Sequence, residues 1–280
     1  MRLGITLAME DCIEARIRDI RDMGFDNIQL SFWQPRYYTE DWLAVIRKAL
    51  AAYDVELTHM WAGFDPPVAW NFYDGPISVG LVPEAYRDRR VKQVLEGAAF
   101  GEKLGTRYIA THLGFLPEDP NDPLYAGTVI AVALIARRLG ESGQWLLFET
   151  GQETPTALLR LFADLEKRGI ANVGLNFDPA NFLHYGKANP VDAVYVLGRY
   201  IHGVHAKDAR YPTDGFALGR EMDIGRGQVD FPRFIQALKD VGYDGFVSIE
   251  REMECDPPIM QNPAARMITA AREFLLPLLG

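Results

Sequence analysis

Eight short apolar runs, each followed by a stretch of helical periodicity, constrain this 280-residue chain more than any other feature. The runs are 3–8 (LGITLA), 27–32 (NIQLSF), 55–61 (VELTHMW), 107–113 (RYIATHL), 145–150 (WLLFET), 173–178 (VGLNFD), 201–206 (IHGVHA) and 245–250 (GFVSIE). Helices are expected near 10–23, 39–53, 84–104, 122–140, 154–168, 190–199 and 231–241, with a last one near 262–276. Strands alternating with helices pair in parallel, because each crossover needs a helix's length of chain. Eight such units predict an α/β fold, a single (β/α)8 TIM barrel over residues 1–280. The rival arrangement is a doubly wound open sheet. It is weakened because no glycine-rich nucleotide fingerprint follows the first run, which passes straight into Met9, Glu10 and Asp11.

Local signals agree with the helix boundaries. Thr154-Pro155 and Asn189-Pro190 read as N-caps followed by proline in the first turn, and Asp230-Phe231-Pro232 resembles them. RRLGESGQ and LEKRGIAN each stop a helix at glycine. Two insertions, 62–83 and 209–229, break the rhythm after candidate strands. Both are therefore expected on the face where barrel active sites form.

Composition narrows the function. Hydrophobic residues are 48% and charged residues 24%, ordinary for a chain with a full core. A formal net charge of −9 argues against a broad nucleic-acid face. Only Cys12 and Cys255 are present, without a CxxC, so no disulfide framework or thiolate zinc site is indicated. The acidic N-terminus is not a signal peptide, and no run approaches the ~20 apolar residues of a membrane span. A cytoplasmic protein, bound to neither nucleic acid nor membrane, is expected.

Four of the runs end in a potential metal ligand: Glu149, Asp178, His205 and Glu250. The gaps between them are 29, 27 and 45 residues, the spacing of one ligand per βα unit. Parallel strands would aim all four at one point above the sheet. Three carboxylates and an imidazole form a hard set suited to one divalent ion, Mn2+ first, then Mg2+ or Co2+. Zinc fits less well, since it is usually met by more nitrogen or sulfur. The plainer reading is that these acids cap strands or pair with Lys and Arg. It weakens when four fall at successive strand ends.

The phrases FETGQE, NFDPANFLHYG, VHAKDAR with IGRGQVDF, and GYDGFVSIERE resemble the xylose isomerase-like TIM-barrel superfamily, and most closely its sugar and sugar-phosphate isomerases and epimerases. The resemblance is clear from about 145 to 255; before that it rests on strand rhythm. It implies Glu149, Asp178, His205 and Glu250 as ligands of one divalent ion, with Glu149 and Glu250 also the catalytic acid–base pair. One departure stands out: Asn181 occupies the position where free-ketose 3-epimerases of this group usually carry a histidine. The HxKD and GxGxVDF phrases look more like sugar-phosphate 3-epimerases and inosose dehydratases.

Other residues are weighed as substrate contacts. His112 ends the fourth run and is favoured for the site, while His59 is balanced between site and scaffold. His202, three residues before His205, has opposite strand parity and reads as structural. His184 lies in the loop after Asp178. Lys207, Asp208 and Arg210 follow the metal histidine: Asp208 is a candidate to orient a ring or hydroxyl, and Arg210 to hold a hydroxyl or phosphate. An exposed salt-bridge cluster is their plainer reading. Arg220 and Arg226 are further phosphate candidates. Glu153 and Glu252 are left as loop charges or supporting acids. Among Trp33, Trp61, Phe64, Trp70, Phe72 and Tyr73, the first two sit at strand termini and are the better candidates to wall a sugar pocket.

The reading that joins these observations is a metal-dependent sugar or sugar-phosphate isomerase or epimerase. Ketose 3-epimerisation through an enediolate is favoured, and a small carbohydrate is the expected partner. An inosose or keto-sugar dehydratase on the same metal site is the alternative. A non-catalytic sugar-binding subunit is the alternative from another class, and homo-oligomerisation is open. Repair endonucleases of this scaffold use three zinc ions and many more histidines than the five here.

Overall fold

The structure, a computed structural model, describes residues 1–251 and 263–280. Glu252 and Cys255 lie outside the described residues. Eight parallel strands close into a barrel: β1 (Arg2–Ala8), β2 (Asn27–Phe32), β3 (Glu56–Ala62), β4 (Tyr108–Thr111), β5 (Trp145–Glu149), β6 (Val173–Phe177), β7 (Ile201–Ala206) and β10 (Phe246–Ile249). β1 pairs with both β2 and β10, Ile5 facing Ile28 on one side and Ile249 on the other, so no strand edge is left open. The predicted helices appear as α1 (Ile13–Asp22), α2 (Glu40–Tyr53), α4 (Glu84–Leu104), α5 (Pro123–Gly140), α6 (Pro155–Glu166), α8 (Pro190–Leu197), α9 (Phe231–Asp240) and α10 (Pro263–Leu279). α10 packs on β1 and α9 and covers the seam.

Helix starts follow the caps in the sequence. The side chains of Thr154, Asn189 and Asp230 accept from the N–H groups of Ala157, of Val191 and Asp192, and of Arg233. Beyond the helix ends, Gly143 and Gly169 take left-handed backbone, φ 74° and 72°, where a side chain would be strained. α5 is 18 residues long and apolar enough to cross a membrane, unlike the sequence expectation, but half of it is buried inside the fold. That is how a helix pressed between barrel and neighbours is composed.

Both insertions sit at the strands' C-terminal end. The first contains α3 (Gly75–Ser78) and is stapled by buried Arg90, whose guanidinium donates to the carbonyls of Gly80 (2.6 Å), Ser78 (2.7 Å) and Pro67 (2.8 Å). The second folds into the hairpin β8 (Asp208–Arg210) and β9 (Arg220–Met222), and α7 (Pro179–His184) follows β6. None of these short elements was expected from the sequence, because none is long enough to show a period.

Irregular registers corrected one parity argument. Between β6 and β7 the pairing shifts, Leu175 facing Ile201 but Asn176 facing Gly203. His202 is the extra residue, and the bulge turns it inward instead of outward. Its ring lies 4.6 Å from Trp145 and 5.8 Å from Tyr108, in an aromatic layer on which His59 also stacks, 4.9 Å from Tyr108. This layer forms the floor under the site.

Candidate active site

β5, β6, β7 and β10 carry Glu149, Asp178, His205 and Glu250 to one place, with one ligand atom of each within 4.8 Å of the others. His205 Nδ1 lies 2.9 Å from Glu250 Oε2 and 3.7 Å from both Glu149 Oε1 and Asp178 Oδ2. Each side chain is held from behind. Asp178 is the N-cap of α7, its Oδ1 accepting from the Asn181 N–H at 2.9 Å, which leaves Oδ2 for the centre. Asn181 also donates to Glu149 Oε1 at 3.2 Å. His205 Nε2 donates to Gln29 Oε1, with the Asn176 amide 2.9 Å from the same nitrogen. A proton held at Nε2 leaves Nδ1 facing the carboxylates, where either a second proton or a metal ion would satisfy it.

Three of these inward atoms, Asp178 Oδ2, His205 Nδ1 and Glu250 Oε2, are buried and face only one another, with no further hydrogen-bond partner among the described residues. Buried polar atoms are almost always satisfied, and this converging set of carboxylate oxygens and an imidazole nitrogen could hold a metal ion. Charge agrees. Lys207 Nζ lies 3.2 Å from Glu250 Oε1 and 3.9 Å from Asp178 Oδ2, so with His205 neutral three carboxylates against one lysine leave a deficit that one divalent ion would balance.

Electrostatics alone strain to hold the cluster. Burial pushes Asp178 up to about 6, although Lys207 and His205 pull the other way. Burial also opposes ionised Glu250, but Lys207 and His205 outweigh it and hold the carboxyl well below its ordinary range. Burial would lower His205 and Lys207; the surrounding carboxylates win and raise both.

Glu149, His205 and Glu250 form the base of a cavity of about 670 Å3, with Asp178 buried behind them. Trp33, Trp61, Trp70, His112 and Tyr185 wall it, with the Trp33 and Trp61 ring centres 4.5 Å apart. His112 sits between Trp61 (5.1 Å) and Trp70 (5.0 Å), its Nε2 3.9 Å from Glu149 Oε2. Burial lowers its pKa against the pull of Glu149, so the ring is neutral. Lys207 and His184 also line the space; Phe64 lies beneath Trp33, and Tyr73 is exposed.

Three candidates do not reach this cavity. His59 is in the floor, its Nε2 donating to the His202 carbonyl at 3.0 Å, with burial lowering its pKa to about 4. Arg210 is exposed on the hairpin, paired in register with Arg220. Asp208 is fully buried and holds a loop instead: its carboxylate accepts from the N–H groups of Ala209 (2.9 Å), Gly225 (3.0 Å), Gly227 (2.8 Å) and Val229 (3.0 Å). Arg226 is likewise not among the lining residues.

The sequence reading passed over Gln29, Asn176 and Arg16 altogether and treated Asn181 only as a departure. A signal existed for two of them. Gln29 in NIQLSF and Asn176 in VGLNFD are lone amides inside apolar strands, and a buried amide needs a partner.

Glu153, a loop charge or supporting acid by its sequence, is fully buried, with Oε2 accepting from the Gly151 N–H at 3.2 Å. Burial raises its carboxyl to about 8, so it is neutral at pH 7. A carboxyl raised on folding stabilises fully below its unfolded pKa, and that stability is lost as pH climbs from about 4.5 to about 8. Glu153→Gln should therefore gain on the parent as pH rises through this window, by roughly 2–5 kcal/mol at pH 9. Urea melts of both proteins from pH 5 to 9 test this; parallel curves would sink it.

The family model of the xylose isomerase-like TIM barrel matches residues 17–278. The chain belongs to that family. A xylose isomerase domain protein from Planctomyces limnophilus superposes with a TM-score of 0.88 at 29% identity, covering 99% of this chain and 96% of that one. A D-psicose 3-epimerase, solved in the presence of D-fructose, superposes at 0.71 over the whole of both chains, at 19% identity. That second likeness is one of fold. The rhizopine catabolism protein MocC of Rhizobium meliloti is 24% identical over 90% of this chain and 77% of its own length. Over shorter stretches the chain spans 31% of the length of two other curated relatives. This xylose isomerase-like barrel thus carries its acidic cluster at the C-terminal end of the strands, where such barrels do their chemistry.

Proposed function

We propose that this xylose isomerase-like barrel is a divalent-metal-dependent sugar epimerase or isomerase, with ketose 3-epimerisation as its reaction. The observation that carries the reading is the convergence of Glu149, Asp178, His205 and Glu250 at the base of a sugar-sized, aromatic-walled cavity. Glu149, Asp178, His205 and Glu250 would hold the ion, and the oxygen-rich set favours Mn2+, with Mg2+ or Co2+ next. When bound, such an ion supplies Lewis-acid polarisation of a carbonyl and its neighbouring hydroxyl.

The chain's own groups do the proton work. Glu149 and Glu250 stand on strands separated by β6 and β7, so they can flank a carbon bound between them. One removes the proton next to the carbonyl and the other returns a proton to the opposite face, inverting the centre. Lys207 keeps Glu250 ionised, and Asn181 fixes the orientation of Glu149. Trp33, Trp61 and Trp70 exclude water and offer ring faces to sugar C–H groups.

Proton NMR in D2O with the Mn2+- or Mg2+-loaded protein and a panel of ketoses, ketose phosphates and inososes tests the reading. Metal-dependent deuterium entry beside the carbonyl, with an inverted product, is expected. Loss of water instead would assign the dehydratase, and binding without exchange the sugar-binding subunit.

Metal should also stabilise the fold. At a free concentration of 1,000 times Kd a ligand of the native state adds about 4 kcal/mol. Adding Mn2+ to EDTA-treated protein should raise Tm by several degrees, and His205→Ala should abolish the response. An unchanged Tm in the parent protein would count against a metal centre.

A further inference from the structure

Arg16, on α1, is the cation this reaction leaves unused. It is 3% exposed, lines the same cavity as the acidic cluster, and neither guanidinium terminal nitrogen has a hydrogen-bond partner among the described residues. The other cations at this cavity are engaged: Lys207 on Glu250 at 3.2 Å, and Arg251 on Glu221 at 3.0 Å. A buried guanidinium needs acceptors for its N–H groups; Arg90 finds them in backbone carbonyls, whereas Arg16 faces an open cavity, where an anion would supply acceptors and balance charge together. Both terminal nitrogens of Arg16 are therefore available to a ligand in the cavity.

Position adds the second half of the argument. The cluster rises from β5, β6, β7 and β10, while Arg16 follows β1, with Thr6, Gln29 and Ser31 lining the wall on its side. A ligand reaching both places carries its reacting carbonyl at one end and its charge at the other. We infer that Arg16 is the specificity residue for an anionic group, a carboxylate or a phosphate, borne by the sugar away from the reacting carbonyl. This rests on the epimerase reading and narrows its substrate to acidic sugars. The guanidinium fork matches either anion with two parallel N–H···O bonds, and a neutral ketose leaves it unpaired.

The test is calorimetric binding to Mn2+-loaded parent, Arg16→Gln and Arg16→Lys proteins. The probes are D-fructose 6-phosphate, 5-keto-D-gluconate and D-fructose, and Mn2+ affinity is measured on each protein as the check on folding. At least one anionic probe should bind the parent tighter than D-fructose and weaken about 10- to 100-fold in Arg16→Gln. Mn2+ and D-fructose affinities should move less than about 2-fold, and Arg16→Lys should recover part of the loss. The phosphate and the carboxylate probes tell the two anions apart. If D-fructose binds as tightly as both anions, or if Arg16→Gln keeps the anion affinity, the inference is overturned. Should Arg16→Gln lose Mn2+ binding, Arg16→Lys carries the comparison, and unchanged discrimination between D-fructose and the anions by both variants also overturns it. Arg16-dependent anion binding without deuterium exchange would sink the enediolate reading and leave the anion site. Exchange of neutral ketoses without an Arg16 effect would do the reverse.

Discussion

Glu250→Gln should reduce solvent-proton exchange by about 10³-fold, within the span that a positioned acid or base contributes. The substitution keeps the shape and one carbonyl oxygen for a metal but removes the group that accepts a proton. Metal affinity should fall less than in His205→Ala, because His205 contributes Nδ1 at the point where the three carboxylates meet. Removing that ring leaves three buried acids facing one another with only Lys207 beside them. The two variants therefore separate chemistry from binding: one loses turnover with metal bound, the other loses both. Measured exchange rates and Mn2+ titrations decide the matter. Full activity in Glu250→Gln would remove it from the acid–base pair.

Asp208→Ala should lose stability, not discrimination among substrates. Its carboxylate gathers four backbone N–H groups, and no described water-facing surface covers it, since the residue is fully buried. The donors of Ala209 and Val229 are buried and each costs about 1–3 kcal/mol if left unsatisfied, while Gly225 and Gly227 can turn to water, so a loss of roughly 2–5 kcal/mol is expected. Asp208→Asn keeps one acceptor oxygen and should fall between. Gly227 shows how tight the packing is: a Cβ there would sit 2.1 Å from Asp208 Oδ1. Urea denaturation measures the loss. An Asp208→Ala protein as stable as the parent but altered in substrate preference would return this residue to the substrate contacts.

The route from Asp208 as candidate contact to Asp208 as loop anchor illustrates where sequence reading runs out. In VHAKD the lysine and aspartate are adjacent and equally polar, yet Lys207 reaches Glu250 while Asp208 turns to the loop of residues 225–229. Alternation from His205 puts Lys207 on the site side and Asp208 on the other, but that the loop of residues 225–229 waits there to be anchored is decided only by the tertiary fold. At His202 alternation itself fails, because a bulge between β6 and β7 reverses its parity. Neither event has a local sequence signature.

What the sequence determined by itself is the repeating part of the molecule. Eight apolar runs, their amphipathic partners, and caps such as Thr154 and Asn189 specify strands and helices through local periodicity and hydrogen bonding, and one ligand per strand end follows from that repeat. Tertiary structure alone decided which polar groups meet across the barrel. Gln29 bonds His205 over a separation of 176 residues, and Arg16 enters the cavity of Glu149 from the far side of the chain. Such pairings depend on barrel closure, register and burial, which bring together groups that no short-range pattern relates.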